Sequence, residues 1–355
     1  MNAPRLEINL DKIEHNARTL IERLSAQGIS VTGITKSTLG SVDIAGAFLR
    51  AGLTSLGDSR IDNIESMRCA LPNASMTLIR SPMLSQIDLV VAHTDISCNT
   101  ELDIISSLSD AAVKINRVHG IVVMVELGDL REGVMPKDME ALVRATLEFP
   151  GIVIKGIGTN LACRNGVSPD NRNMSQLSAL ADSLESTFGI HFDIVSGGNS
   201  ANLDWAFGSA PSGRINNLRL GESLLLGCET LHRRPIDGLH TDAITLVAEV
   251  IESKIKPSKP WGTLAQNAFG EVPAAANDRG DIFQAILAIG RQDIDPLGLC
   301  APRGITIVDS SSDHLIVQCN NLLAVGTELS FQINYSSLTR AMTSPFVKKK
   351  ITQQH

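Results

Sequence analysis

Short apolar runs alternate with amphipathic stretches from the start of the chain to about Arg233. Leu6, Ile8 and Leu10 alternate with polar residues, the period-two pattern of a half-buried strand. Asp11 then reads as the N-cap of a helix in which Ile13, Ala17, Leu20 and Leu24 recur at helical spacing. Eight runs of strand character follow: Val31–Thr35, Ser55–Gly57, Thr77–Arg80, Asp95–Cys98, Gly120–Leu127, Val153–Thr159, Phe192–Ser196 and Leu218–Leu220. Amphipathic stretches such as Lys137–Phe149 and Met174–Phe188 separate several of them. Strand–helix units in series predict a parallel sheet, and eight units predict an α/β fold of the (β/α)8 TIM-barrel type. An open, doubly wound sheet is the alternative architecture.

After about Arg234 the period changes. Ile244–Ile251, Ile282–Ile289, Ile305–Val308, His314–Val317 and Glu328–Ile333 read as strands separated by Pro, Gly, Asp and Asn, and no long helix is expected. Tyr335 is read as part of a strand. The pattern predicts a barrel over 11–233 and a second, mainly β domain over 234–355, joined by the N-terminal strand 1–10.

Composition narrows the classes. With 355 residues, 43% hydrophobic and 19% charged, the chain can bury a sizeable core. A net charge of -7 argues against nucleic-acid or anionic-membrane partners. The one basic run, Lys348–Lys350, reads as a solvated tail. None of the six cysteines has C-x-x-C spacing, so neither a zinc site nor a disulfide framework is expected, and no His-x-x-x-His pair suggests a catalytic metal. The N-terminus has the character of neither a signal nor a transit peptide, and no apolar run approaches the ~18 residues of a membrane span. A cytoplasmic protein is expected.

Several polar residues sit where barrel chemistry is kept. VTGITKSTLG, residues 31–40, is a buried-strand pattern ending on Lys36, followed by the turn formers Ser37, Thr38 and Gly40. A strand-end lysine points into the barrel mouth. Desolvation disfavours its ammonium and makes it an amine nucleophile, for which an aldehyde is the natural electrophile; the plain alternative is a solvated lysine. SGGNSANLDWAF (196–207) joins a Gly-rich turn to a helix start after the seventh strand, where Asn199 or Ser200 can cap and an anion can bind; the alternative is an ordinary βα turn. Arg219 ends the eighth strand, facing either a ligand heteroatom or a carboxylate, and Gly221 after it allows close backbone approach. Glu126, Asp129 and Arg131 follow the fifth strand, and arginine there suits bidentate carboxylate recognition. Asn160 stands at the end of the sixth strand, with Cys163 and Arg164 next. Asp313 and His314 open a later strand, where strict alternation would point them to opposite sides.

Taken together, ELGDLREG, KGIGTNLAC, IVSGGNS, LRLGES, LLLG, NAFG, AILAIGRQD and SSDHLIV resemble the alanine racemase-type, fold type III family, most of all its ornithine racemase branch. The resemblance runs from LEINLDKIEHN to SLTRAMTSPFV, nearly the whole chain. It implies a barrel plus a β domain, pyridoxal phosphate as cofactor, a homodimer with composite sites and an amino-acid racemase. By position Lys36 matches the lysine that bonds the cofactor. Ser200 and the backbone around Gly221 and Glu222 match the phosphate cradle. Arg219 matches the arginine at the pyridine nitrogen, and Arg131 one associated with the substrate carboxylate.

The departures are informative. Alanine racemases use a β-domain tyrosine as second base, where this chain has Arg291, followed by Asp293. They carry a lysine where this chain has Met124 and a histidine where it has Asn160. His314, Asp313 and Asp293 are the candidates for second base. A basic amino acid, ornithine or lysine, is the expected substrate, with Asp293, Asp295 or Asp313 reading its distal amine. Broad-specificity or alanine racemisation, another reaction on the same cofactor such as decarboxylation or aldol cleavage, and cofactor binding without turnover are the alternatives.

Overall fold

Eight strands pair in parallel in chain order and close on themselves, which settles the barrel over the open sheet. In this computed structural model, which describes residues 2–272 and 277–353, β1 is Arg5–Asn9 and the barrel strands are β2 (Ser30–Ile34), β3 (Ser55–Asp58), β4 (Ser75–Leu78), β5 (Ile96–Asn99), β6 (His119–Met124), β7 (Ile152–Gly158), β8 (Ile194–Gly198) and β9 (Asn217–Leu220). The ring closes where Val31 of β2 pairs with Leu218 of β9. By contact, Leu10–Thr241 forms one unit, and the first nine residues with the chain from Asp242 onward form the other.

The first helix, α1 (Leu10–Ser25), buries Ile13, Ala17, Leu20 and Leu24, as its spacing predicts. It begins at Leu10, however. Asp11 therefore lies inside the first turn, where its charge suits the helix dipole, and is not the cap. β6 stops at Met124 rather than reaching Leu127, because the backbone N–H groups beyond it turn back onto the Glu126 carboxylate. Gly156 is required by the β7–β8 contact: it pairs with Ile194, and a Cβ would lie 1.7 Å from the Ile194 carbonyl oxygen.

In the second unit the strands are β10 (Ile244–Pro257), β11 (Asp281–Leu287), β12 (Leu299–Cys300), β13 (Ile305–Ser310), β14 (Leu315–Cys319), β15 (Glu328–Ile333) and β16 (Lys348–Thr352). They run β12-β15-β10-β11-β14-β13, with β1 antiparallel to β10 and parallel to β16. Two expectations are corrected here. Lys348–Lys350 is not a solvated tail but part of β16, where Lys350 Nζ bonds Glu7 at 3.2 Å. Tyr335 is not in a strand. It opens a helix, Tyr335–Thr343, capped by Asn334, whose side chain accepts the Ser337 N–H. That helix shows only weakly in the sequence because its buried positions, Ser337, Leu338, Ala341 and Met342, include few large apolar residues. Among the described residues no helix is long and apolar enough to cross a membrane.

Candidate active site

The C-terminal ends of the barrel strands gather the polar residues. Lys36 opens a one-turn 3-10 helix, Lys36–Thr38, directly after β2. The turn is anchored from below: Thr35 Oγ1 donates to Asp58 Oδ2 at 2.8 Å, and Thr38 Oγ1 donates to the Thr35 carbonyl at 2.9 Å. The Lys36 side chain keeps accessible surface, as a group in an open recess does. Enough protein surrounds it that burial is the main influence on the amine and pushes it below the ordinary lysine range; Arg131 pushes the same way, while Cys163, Asp58 and Glu132 pull against it.

Arg219 is buried at the end of β9. One guanidinium nitrogen bonds Ser196 Oγ, and the other bonds the Thr159 carbonyl at 2.6 Å. Ser196 passes the contact to Asn217 Oδ1 at 2.8 Å, and Asn217 Nδ2 reaches Thr32 Oγ1 at 3.2 Å. Among the described residues no carboxylate lies within ion-pair distance of Arg219. Its charge is held by neutral oxygens, and burial lowers its pKa. The charges of Arg131 and Glu132 act on both Arg219 and Lys36, so the four side chains share one mouth.

The Gly-rich turn after β8 is capped by Asn199, whose Oδ1 accepts the Ala201 N–H at 2.8 Å; Ser200 is not the cap. Asn199 Nδ2 also holds Asn160 Oδ1 at 3.1 Å. The Ser200 and Ser223 hydroxyls are 3.0 Å apart, and both are buried. Gly221 presses on the end of β2, where a Cβ would come 3.1 Å from the Ile34 carbonyl oxygen. The Glu222 side chain turns aside to pair with Arg233, leaving only its backbone for the cradle.

Glu126 and Asp129 are builders of the rim. Glu126 accepts the N–H groups of Gly128, Leu130 and Arg131 at 2.6, 3.0 and 3.2 Å. Asp129 accepts those of Cys163, Arg164, Asn165 and Val167. So held, Arg131 Nη1 donates to Cys163 Sγ at 2.9 Å, and Arg131 pairs with Glu132. Asp58, Glu132, Ser196 and Ser223 escaped the sequence reading. Only Ser223 carried a signal, as a hydroxyl at the start of the helix after Gly221.

In the β unit, Asp313 and His314 lie in the turn before β14, outside the strand. Alternation therefore does not separate them, and His314 Nδ1 meets Asp313 Oδ1 at 2.8 Å. Asp293 accepts from Ser344 Oγ at 2.6 Å and Asp295 from Ser336 Oγ at 2.6 Å. Arg291 is held by Ser310 Oγ at 3.0 Å and lies 4.3 Å over the Phe269 ring. Asp204, Glu229 and His232 bring ligand-type atoms within 4.8 Å of one another, but Arg234 donates to both carboxylates and backbone N–H groups fill Glu229.

Fold and site together define a barrel protein with a lysine in its mouth and a separate β unit. The model of the family described as alanine racemase, N-terminal domain, matches residues 8–228, and the chain belongs to that family. It is 38% identical over 355 residues to an ornithine racemase of Acetoanaerobium sticklandii, covering 98% of this chain and 99% of that one. It is also 38% identical over 351 residues to a lysine racemase of Thermotoga maritima, covering 98% of each. A solved alanine racemase of Clostridium difficile 630 superposes with a TM-score of 0.74 at 18% identity, covering 100% of this chain and 97% of that one, which shows the fold.

Proposed function

We propose that this chain is a pyridoxal phosphate-dependent racemase of a basic amino acid, ornithine or lysine, acting as a cytoplasmic homodimer. The observation that carries the reading is the presence, in one barrel mouth, of a lysine whose ammonium is disfavoured and a buried arginine that pairs with no carboxylate among the described residues but with neutral oxygens. The full-length likeness to an ornithine and a lysine racemase supports the substrate class. The six free cysteines suit a reducing compartment.

The donors fit that cofactor. Lys36 would supply the amine, Arg219 an N–H donor for the ring nitrogen, and Ser200, Ser223 and the backbone at Gly221 and Glu222 a phosphate cradle. Asn160, held by Asn199, stands beside it. When bound, pyridoxal phosphate acidifies the substrate Cα–H by delocalising its electron pair. Arg219 donates a hydrogen bond but no proton, because a guanidinium is not deprotonated in proteins. A ring nitrogen held this way would stay unprotonated, so the cofactor would be a weak electron sink, which would favour return of the proton to Cα over side reactions.

Racemisation needs a base on each face of Cα. Lys36 serves one face. The base for the other face would be His314 supplied by a second subunit, as the family's composite dimer sites imply, with Asp313 at its Nδ1. Arg131 receives the substrate carboxylate.

The test is to incubate the protein with the cofactor and L-ornithine in D2O, following the Cα–H signal by NMR and chirality by chromatography. L-lysine and L-alanine run beside it, with Lys36→Ala as control. Loss of the signal with D-ornithine formation is expected, faster than with alanine. Equal turnover of alanine and ornithine overturns the substrate reading, and no exchange with any of the three overturns the racemase.

A further inference from the structure

Two permanent cations, Arg131 and Arg219, stand in the barrel mouth beside the Lys36 amine. A diamino acid brings a further ammonium into that field, and a site that prefers such a substrate needs a carboxylate able to meet it. Two carboxylates act on Lys36. Asp58 is buried and spent. Its Oδ1 accepts from the Arg60 N–H and Asn63 Nδ2 at 2.9 and 3.0 Å, and its Oδ2 from Thr35. Glu132 is different. Its side chain is 28% accessible, its Oε1 pairs with Arg131, and its Oε2 accepts no hydrogen bond among the described residues. Its partner Arg131 also reaches Cys163 in the rim loop after β7, which keeps the Glu132 carboxylate at the rim of the mouth, and its charge acts on Lys36 and Arg219.

Resting on the racemase reading above, we propose that Glu132 selects for a cationic side chain: its carboxylate receives the distal ammonium while Arg131 receives the α-carboxylate. The Arg131–Glu132 pair is then exchanged and not merely broken. A diamino acid offers each half of the pair a replacement partner. A neutral amino acid takes Arg131 and leaves Glu132 with an uncompensated charge, which is discrimination against the wrong ligand as well as attraction to the right one. Asp293, Asp295 and Asp313 of the β unit are the alternative carboxylates, and an ornithine-to-norleucine ratio unchanged in Glu132→Gln returns the role to them. The Arg131 N–H is held by Glu126 at 3.2 Å, so the acidic residue next to it sits on a fixed stretch of backbone.

Glu132→Gln and Glu132→Asp in the full-length, cofactor-loaded protein test this against L-ornithine and L-norleucine, whose side chain has the same number of heavy atoms and no charge. Glu132→Gln is expected to lower the ornithine-to-norleucine ratio of kcat/KM at least about tenfold, mainly through a higher ornithine KM. Glu132→Asp, which keeps the charge, restores part of the ratio. Independently of turnover, ornithine at a sub-saturating concentration is expected to raise Tm in the wild type and in Glu132→Asp, and clearly less in Glu132→Gln. An unchanged ratio, or a Tm rise in Glu132→Gln equal to that of the wild type, overturns the assignment while leaving the racemase standing. A wild type that racemises neither compound overturns the racemase, and the Tm arm still reports whether Glu132 holds the ammonium.

Discussion

Asp129 holds Cys163 in place. Its carboxylate accepts the Cys163 backbone N–H at 3.1 Å, together with those of Arg164, Asn165 and Val167, and so ties the rim loop after β6 to the one after β7. The Arg131–Cys163 contact across the mouth depends on that tie.

Asp129→Asn removes the charge and points an amide donor at other donors. Burial raises the Asp129 pKa, but the four N–H groups outweigh it and hold the carboxyl below its usual range. Its contribution is therefore complete above the unfolded value of about 3.9 and is lost as pH falls through the lower folded value. The variant is expected to be less stable by about 1.5–3 kcal/mol at neutral pH. Urea unfolding along a pH series checks this: the gap between variant and wild type must narrow below about pH 4.

Lys36 is expected to be the most reactive lysine of the cofactor-free protein. Burial, its largest influence, lowers its pKa, so a larger fraction is neutral amine at any pH below the ordinary lysine value of about 10.4. Limiting acetic anhydride at mildly alkaline pH, read by peptide mass mapping, should label Lys36 several-fold ahead of exposed lysines such as Lys259. Equal labelling contradicts the desolvated mouth.

Arg219→Lys keeps the charge and loses the fork. A single ammonium cannot reproduce the planar guanidinium that reaches both Ser196 Oγ and the Thr159 carbonyl, so the conservative exchange is not conservative here. Racemase activity is expected to fall about 100-fold, the size typical of losing one pre-positioned donor. The visible absorption band of the cofactor-loaded protein should shift with it. An unchanged spectrum and rate would remove Arg219 from the cofactor.

Gly156→Ala tests the closure of the barrel. The added Cβ would meet the Ile194 carbonyl oxygen at 1.7 Å, a backbone atom that no rotamer can move aside. The loss of stability should reach the upper end for overpacking, about 3 kcal/mol, seen as a lower Tm or insoluble expression.

Much of the barrel was legible because its signals are local. The apolar stripe of α1 and the runs around β2 to β9 are set by residues close together along the chain. The helix Tyr335–Thr343 and the β16 strand escaped for the opposite reason. One buries small residues, and the other is three lysines whose place is decided by pairing with β1 at the far end of the chain.

The sequence by itself determined the alternation of strand and helix, the change of period near Arg234, and the placing of Lys36, Asn160 and Arg219 at strand ends. Each follows from side-chain periodicity, which neighbours along the chain dictate. Only the tertiary structure decided what those residues meet. Glu126 and Asp129, conspicuous as acidic residues, spend their charge on backbone N–H groups. Arg219 faces neutral oxygens instead of a carboxylate, one of them 60 residues away. Asp313 and His314 meet because a turn, and not a strand, carries them. Partners so distant along the chain are set by how the barrel closes and how its loops fold back over the mouth, and a linear pattern does not encode that geometry.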